Sequence, residues 1–218
     1  MSVSPPPTRR SEALKASPKM FESDFLDFFT RVHPAVPVVL FGPVIVALAV
    51  LGIAGEGAWA LAWIAGGYLF WTLTEYWLHR VVFHFEPDHP IGRRFHFIIH
   101  GVHHDHPNDP LRLVMPPAAS IPLAALFIGA FVVVIGTPEA WPFAGGFLAG
   151  YLIYDMIHYA LHHHRPKTRF GRWLRELHMR HHFQDDTTGY GIAAPYWDWV
   201  FRTKVDRAKR AAPAPHED

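Results

Sequence analysis

The chain has 218 residues, half of them hydrophobic and 15% aromatic, with a formal net charge of +1. That length allows one domain of ordinary size, and the absence of cysteine excludes disulfides, thiolate metal sites and cysteine nucleophiles. No Gly-rich phosphate loop, nucleophile elbow or basic stripe is present, so phosphate transfer, serine hydrolysis of that type and nucleic-acid binding are not expected.

Residues 1–16 are rich in Pro, Ser and Arg and read as a disordered tail. The first 33 residues hold no apolar core of the kind a cleavable signal peptide needs. Ser17-Pro18 predicts a helix start, a capping residue followed by Pro at the first helical position. Phe21, Phe25, Phe28, Phe29 and Val32 then recur at helical spacing, with Glu22, Asp24 and Asp27 on other faces. Such a helix either lies along a membrane surface or packs on a cytosolic cap.

Four apolar runs follow, at about 34–54, 58–77, 117–136 and 141–161. Each is near the ~20 residues that a helix needs to cross a bilayer. Gly55-Glu56-Gly57 and Thr137-Pro138-Glu139 make short turns within two hairpins. The expected fold is an all-α integral membrane protein with four transmembrane helices as two hairpins, capped by histidine-rich cytosolic helices over a membrane domain at 17–203. All 20 Lys and Arg residues lie in the N-terminal segment, in 80–112 or after 164, and the two short turns carry only Glu56 and Glu139. By the positive-inside rule both termini and every histidine cluster then face the cytosol. That predicts the bacterial inner membrane, or the endoplasmic reticulum in a eukaryote. Residues 204–218 are charged and rich in Ala and Pro and read as a second disordered tail.

The histidines cluster after each hairpin. His100, His103 and His104 are related as i, i+3, i+4, as are His178, His181 and His182, so each trio shares a helix face. His158 and His162 are four apart, again one face. His79 and His84 are five apart, roughly 140° around an ideal helix, and converge only where the helix ends or bends. Ten imidazoles are too many for one ion and suit two, with positions left open. Imidazole serves iron, zinc, copper and nickel alike, so the pattern leaves the ion open. Glu75 and Asp155 each stand one helical turn before a histidine. A ligating imidazole commonly donates its other N–H to a carboxylate, which is the role expected of both acids; otherwise each is an acid satisfied by a neighbouring helix.

Several ordered motifs carry a resemblance: E-Y-x-x-H-R-x-x-F-H at 75–84, H-F-x-x-H-G-x-H-H at 96–104, R-L-V-M-P-P at 112–117, Y-D-x-x-H-Y-x-x-H at 154–162, and H-x-x-H-H-F with G-Y-G-I and W-D at 178–198. Over about 68–203 the chain resembles the fatty acid hydroxylase/sterol desaturase superfamily of integral-membrane di-iron enzymes, and looks most like its fatty acid 2-hydroxylase branch. The resemblance implies O₂-dependent hydroxylation at C2 of a fatty acyl chain, free or within a membrane lipid. It implies two iron ions, with zinc as an inactive substitute, and O₂ as co-substrate. Its metal ligands would be His79, His84, His100, His103, His104, His158, His162, His178, His181 and His182. His96 matches the motif one turn before His100 and would support the ligands from outside, the alternative being an eleventh ligand. His89, His106, His163 and His164 match no motif and read as solvated loop histidines. Arg112, Tyr190, Trp197 and Asp198 would border the substrate, with Tyr190, Trp197 and Asp198 alternatively serving as lid packing. Eukaryotic members of that branch carry a fused haem domain with a His-Pro-Gly-Gly signature, which His33-Pro34-Ala35-Val36 does not match. The electron donor is therefore expected to be a separate cytochrome b-type or ferredoxin/reductase partner. Sterol or carotenoid oxidases of the same superfamily, and a non-catalytic metal-binding membrane protein such as a transporter, are the competing readings. A transporter would place its ligands near the bilayer midplane, whereas here they stand at the ends of the spans.

Overall fold

A computed structural model of the chain describes residues 9–206; the expected tails extend beyond them at 1–8 and 207–218. Short helices α1 (Arg9–Ala13) and α2 (Asp24–Phe28) precede the long α3 (Ala35–Glu56) and α4 (Ala60–Trp77). After α4 come α5 (Pro90–His96) and α6 (Val102–Asp105), then the long α7 (Pro117–Val134) and α8 (Ala140–His163), and finally α9 (Arg169–Phe183) and α10 (Tyr196–Val200). The four long helices lie where the apolar runs place them. Two stretches, Ala35–Phe83 and Pro117–Val134, are long and apolar enough to cross a membrane, and the first contains both α3 and α4.

α8 is the central element. It packs mainly on α4 and α3, with α7 against a further side, and most of its length is buried. The approach of α4 to α8 is set by small residues. A Cβ at Gly67 would lie 1.9 Å from the Phe143 carbonyl oxygen, and one at Gly146 would lie 2.0 Å from that of Ile64. Above this seam the aromatic rings of Trp71, Phe147, Tyr151 and Phe131 interlock, with Trp71 5.1 Å from Phe147 and 5.4 Å from Tyr151. Outward-facing residues such as Val39, Val50, Leu69, Leu126, Val133 and Val134 are large, apolar and exposed. Helices satisfy their own backbone groups, so such a belt suits a hydrocarbon surround.

Two local features differ from the sequence reading. The helix expected from Ser17 is confined to α2, whose N-cap is Ser23. The reason is Asp27. It is buried, accepts from Met20 N–H at 2.7 Å, and pairs with Arg31 at 2.7 Å and Arg112 at 3.2 Å. Drawing Asp27 inward leaves Phe25, Phe28 and Phe29 exposed on the other side. In the expected N-terminal tail, residues 9–13 form α1, and the Leu14 carbonyl accepts from Asn108 N–H at 2.9 Å.

The bend that His79 and His84 require is a π-helical stretch, Leu78–Phe83, that continues α4. Its closing bond runs from His84 N–H to the His79 carbonyl, 3.2 Å, an i→i+5 contact. Widening the turn brings residues five apart onto one face, and such bulges recur at functional sites. A second π-helical stretch, Phe97–Gly101, joins α5 to α6 and carries His100.

The α4–α8 seam generates a prediction. Gly146→Val should force the helices apart and destabilise the protein by about 1–3 kcal/mol or more, the range for overpacking a filled interior. Gly129→Ala, where an added Cβ meets nothing within 4 Å, should melt like the parent. Thermal unfolding in detergent, followed by circular dichroism, compares them; equal melting of the two variants contradicts the seam.

Candidate metal centre

The ten histidines assemble into two groups of five. One comprises His79, His84, His100, His104 and His181; the other comprises His103, His158, His162, His178 and His182. Within each group the candidate ligand atoms all lie within 4.8 Å of one another. The groups are neighbours, with the His104 and His182 ring centroids 4.2 Å apart. Adjacent residues divide between them: His103 and His104 on α6 go to different groups, as do His181 and His182 on α9. Four separate segments thus supply the two sites, three to each, and the shared trios hold the sites side by side.

The nitrogen geometry identifies what the groups can hold. In the first group the Nε2 atoms of His79 and His84 are 3.1 Å apart, those of His84 and His181 3.0 Å, and those of His79 and His100 3.3 Å. His79 Nδ1–H donates to the Tyr190 carbonyl at 2.7 Å, and His181 Nδ1–H donates to the Thr188 carbonyl at 2.7 Å. A neutral imidazole has one N–H, so these bonds fix the tautomer and turn an Nε2 lone pair of each ring into the centre. Converging lone pairs are a cation's coordination shell. The second group shows the same approach, with His158 and His103 Nε2 atoms 3.0 Å apart and those of His162 and His178 2.7 Å apart. Burial pushes His84 and His103 down to about 3 and holds His100, His178 and His182 well below the ordinary imidazole value. The rings are therefore neutral at pH 7, the state that binds a metal. The two groups could hold two metal ions.

The supporting residues stand differently from expectation. Glu75 Oε1 accepts from Ala193 N–H at 2.7 Å, and Asp155 accepts from the Tyr151 hydroxyl at 3.2 Å. The carboxylate expected behind His79 is replaced by a peptide carbonyl, because the 188–193 loop inserts between α4 and α9. His96 lies outside both groups and lines a polar cavity of about 560 Å³ with His84, Glu86, Arg93, His104 and Asp186. Tyr190 borders the same cavity. Arg112 is buried between Asp27 at 3.2 Å and Asp109 at 3.6 Å, in the brace that ties the N-terminal segment to the loop before α7. Trp197 donates from Nε1 to Thr72 Oγ1 at 3.2 Å and stacks on Phe201. Of the unassigned histidines, His89 caps α5, His106 bonds the Ala13 carbonyl at 2.6 Å, and His163 is half-buried beside Tyr159. These three serve local structure; His164 is exposed, as expected.

Sequence reasoning missed the two loop carbonyls, which have no side-chain signature. It also read Asp198, in the W-D motif, only as bordering the substrate entrance or packing in a lid, and gave it no place behind the imidazoles. A second cavity, of about 500 Å³, is largely apolar and lies between α9 and the loop and helix 189–199; it touches His178 and is walled by Phe170, Trp173, Leu177, Ile192 and Trp199.

Comparison with known proteins agrees with this geometry. Residues 64–203 match the family model for fatty acid hydroxylase. A dihydroceramide fatty acyl 2-hydroxylase of Arabidopsis thaliana is 40% identical over 193 residues, covering 85% of this chain and 79% of the relative. The human fatty acid 2-hydroxylase is 42% identical over 145 residues, 63% of this chain and 38% of its own longer one. The solved structure of full-length scs7p, in which only the hydroxylase domain is visible, superimposes with a TM-score of 0.80 at 34% identity, covering 87% of this chain and 73% of that one. All ten clustered histidines fall inside the matched segment, and the chain belongs to the fatty acid hydroxylase family, an oxidoreductase built around its paired imidazole groups.

Proposed function

We propose that the chain hydroxylates a fatty acyl chain at C2, as a free fatty acid or within a membrane lipid, using O₂ and two iron ions held by the ten clustered histidines. The observation that carries this reading is the pair of five-imidazole groups inside a segment shared with 2-hydroxylases. Iron at these groups would supply reductive activation of O₂, and zinc in the same imidazoles would give an inactive form. Ceramide-type and free acyl substrates share the reacting carbon, and the reading covers both.

The chain's own residues supply placement. Two hairpins, α3–α4 and α7–α8, would span the bilayer, with both termini and the imidazole groups on the cytosolic side, where the Lys and Arg residues gather. The reacting carbon would then sit at the depth of the helix ends, next to a headgroup at the surface. Depth selects the position attacked, because a bound, oriented substrate presents one atom to the site. The apolar cavity beside His178 suits the acyl chain: its rim carries the exposed rings of Phe170, Tyr196 and Trp199, and α10 reaches back to Thr72 within α4. The polar cavity at His84 and His104 suits water and proton exchange. The overall reaction, R–H + O₂ + 2 e⁻ + 2 H⁺ → R–OH + H₂O, needs two electrons from a separate one-electron carrier protein.

Acid should open the site. Imidazoles held down to about 3 in the folded chain take protons near ~6.5 once unfolded. Below ~6.5 these rings bind more protons in the unfolded chain than in the folded one, so their contribution to stability is complete above ~6.5 and is lost as pH falls from there towards about 3. Thermal melts of the metal-free protein should fall steadily as the pH is lowered from ~6.5. A melting temperature that rises on acidification contradicts the neutral-ring assignment.

The reaction itself is tested by product analysis under ¹⁸O₂ with a reconstituted reductase system. One labelled oxygen is expected in a 2-hydroxy acyl product. Label derived from water, or a double bond without a hydroxyl, overturns the proposal.

A further inference from the structure

We propose that Asp198 is a positioning residue for the metal site of the first imidazole group, acting on His79 and His181 through two peptide groups of the 188–191 loop. The inference rests on the reading that this group binds a metal.

The contacts form two chains of hydrogen bonds. In the first, the Asp198 carboxylate accepts from Gly191 N–H at 2.9 Å, and the carbonyl of that same peptide, on Tyr190, accepts from His79 Nδ1–H at 2.7 Å. In the second, the Thr203 carbonyl accepts from Gly189 N–H at 2.8 Å, and the carbonyl of that peptide, on Thr188, accepts from His181 Nδ1–H at 2.7 Å. Asp198 joins the two. Its Oδ1 accepts from Tyr190 N–H at 2.9 Å and from the Thr203 hydroxyl at 2.8 Å, and its own carbonyl accepts from Thr203 N–H at 2.9 Å. Thr203 Oγ1 lies 2.9 Å from the Tyr76 hydroxyl, which ties the assembly to α4 one turn before Arg80.

Peptide resonance couples the two ends of each relay. A charge at the N–H end draws the peptide's polarisation towards itself and leaves its carbonyl oxygen richer, so the carbonyl accepts more strongly from the imidazole. The imidazole in turn is held in one orientation and made a better donor of its Nε2 lone pair, the effect that a directly bonded carboxylate has on a ligating histidine. Here the carboxylate acts at one remove on His79, whereas it reaches His181 only by holding Thr203, whose neutral carbonyl accepts from Gly189 N–H. Asp198 is 4% exposed, and its oxygens are occupied by three donors from the loop and Thr203. Gly189, at φ +76°, permits the reversal that aims successive carbonyls at two imidazoles, and an added Cβ there would meet Val205 at 2.5 Å.

The second imidazole group lacks this bracing. Nδ1 of His162, His178 and His182 is buried without a hydrogen-bond partner among the described residues. The two metal sites should therefore differ, with the first depending on Asp198 and the second indifferent to it.

The test is Co²⁺ titration of the full-length chain in detergent after metal removal, followed by the cobalt absorption bands. The parent should bind in two steps. In Asp198→Asn the step that is also lost in His79→Gln should weaken by ~10–100-fold, with its bands shifted, while the other keeps its affinity. Thr203→Val should weaken the same step less, and Thr203→Ser, which keeps the hydroxyl, should match the parent. If Asp198→Asn does not fold, the Thr203 pair decides alone. Equal weakening of both steps would mark Asp198 as a general structural residue, and no change in either, or no distinction between Thr203→Val and Thr203→Ser, would remove the relay. A parent that binds no Co²⁺ overturns the metal reading itself, and the relay with it.

Discussion

Imidazole nitrogens that face one another at about 3 Å with lone pairs turned inward repel unless a cation lies between them. The structure is arranged to enforce that approach. The carbonyls of Tyr190 and Thr188 fix which nitrogen of His79 and His181 points inward. Burial keeps His84, His103 and the other rings outside the spans unprotonated. The π-helical turn Leu78–Phe83 brings together His79 and His84, which an α-helix would send to different faces, and a second such turn, Phe97–Gly101, carries His100. Each of these arrangements carries a local cost, in widened turns or in buried polar rings, which bound metal would offset.

The helices below serve the same constraint. α8 supplies His158 and His162 and packs against α4, which leads into His79, through contacts close enough to exclude a side chain at Gly67 and Gly146. A shift between these helices would displace two segments of the centre together. α9 then closes the site by giving His181 to one group and His178 and His182 to the other, while its return loop hydrogen-bonds Glu75 of α4 through Ala193. Lipid chemistry follows from where this assembly sits, at the ends of apolar helices with an apolar cavity on one side and a polar one on the other.

The long helices were legible because uninterrupted apolar runs leave few other structures open to the chain, and the i, i+3, i+4 histidine trios were legible because helical spacing fixes a face. The convergence of His79 and His84 could be inferred as a bend, but a π turn carries no residue code that separates it from a kink or a helix end. The division of His103 from His104 was not legible, since neighbours on one helix part company only when two partners approach from different sides. Nor were the carbonyl partners of His79 and His181, because every residue has a carbonyl. The carboxylates of Glu75 and Asp155 illustrate the limit: their spacing from a histidine was read correctly, yet one oxygen of each accepts from a different donor, Ala193 N–H and the Tyr151 hydroxyl. The short α2 follows from a similar cause, an acid drawn into an ion pair with Arg112 that lies 85 positions along the chain.

The central claim is that the ten histidines form two separate sites. Metal analysis of the chain purified from iron-supplemented cells, with protein quantified by amino-acid analysis, measures this directly. The account predicts close to two ions per chain, falling to close to one when His158 and His162 are both changed to Ala. One ion per chain in the parent after full reconstitution, or loss of both ions in that double variant with the fold retained, would contradict it.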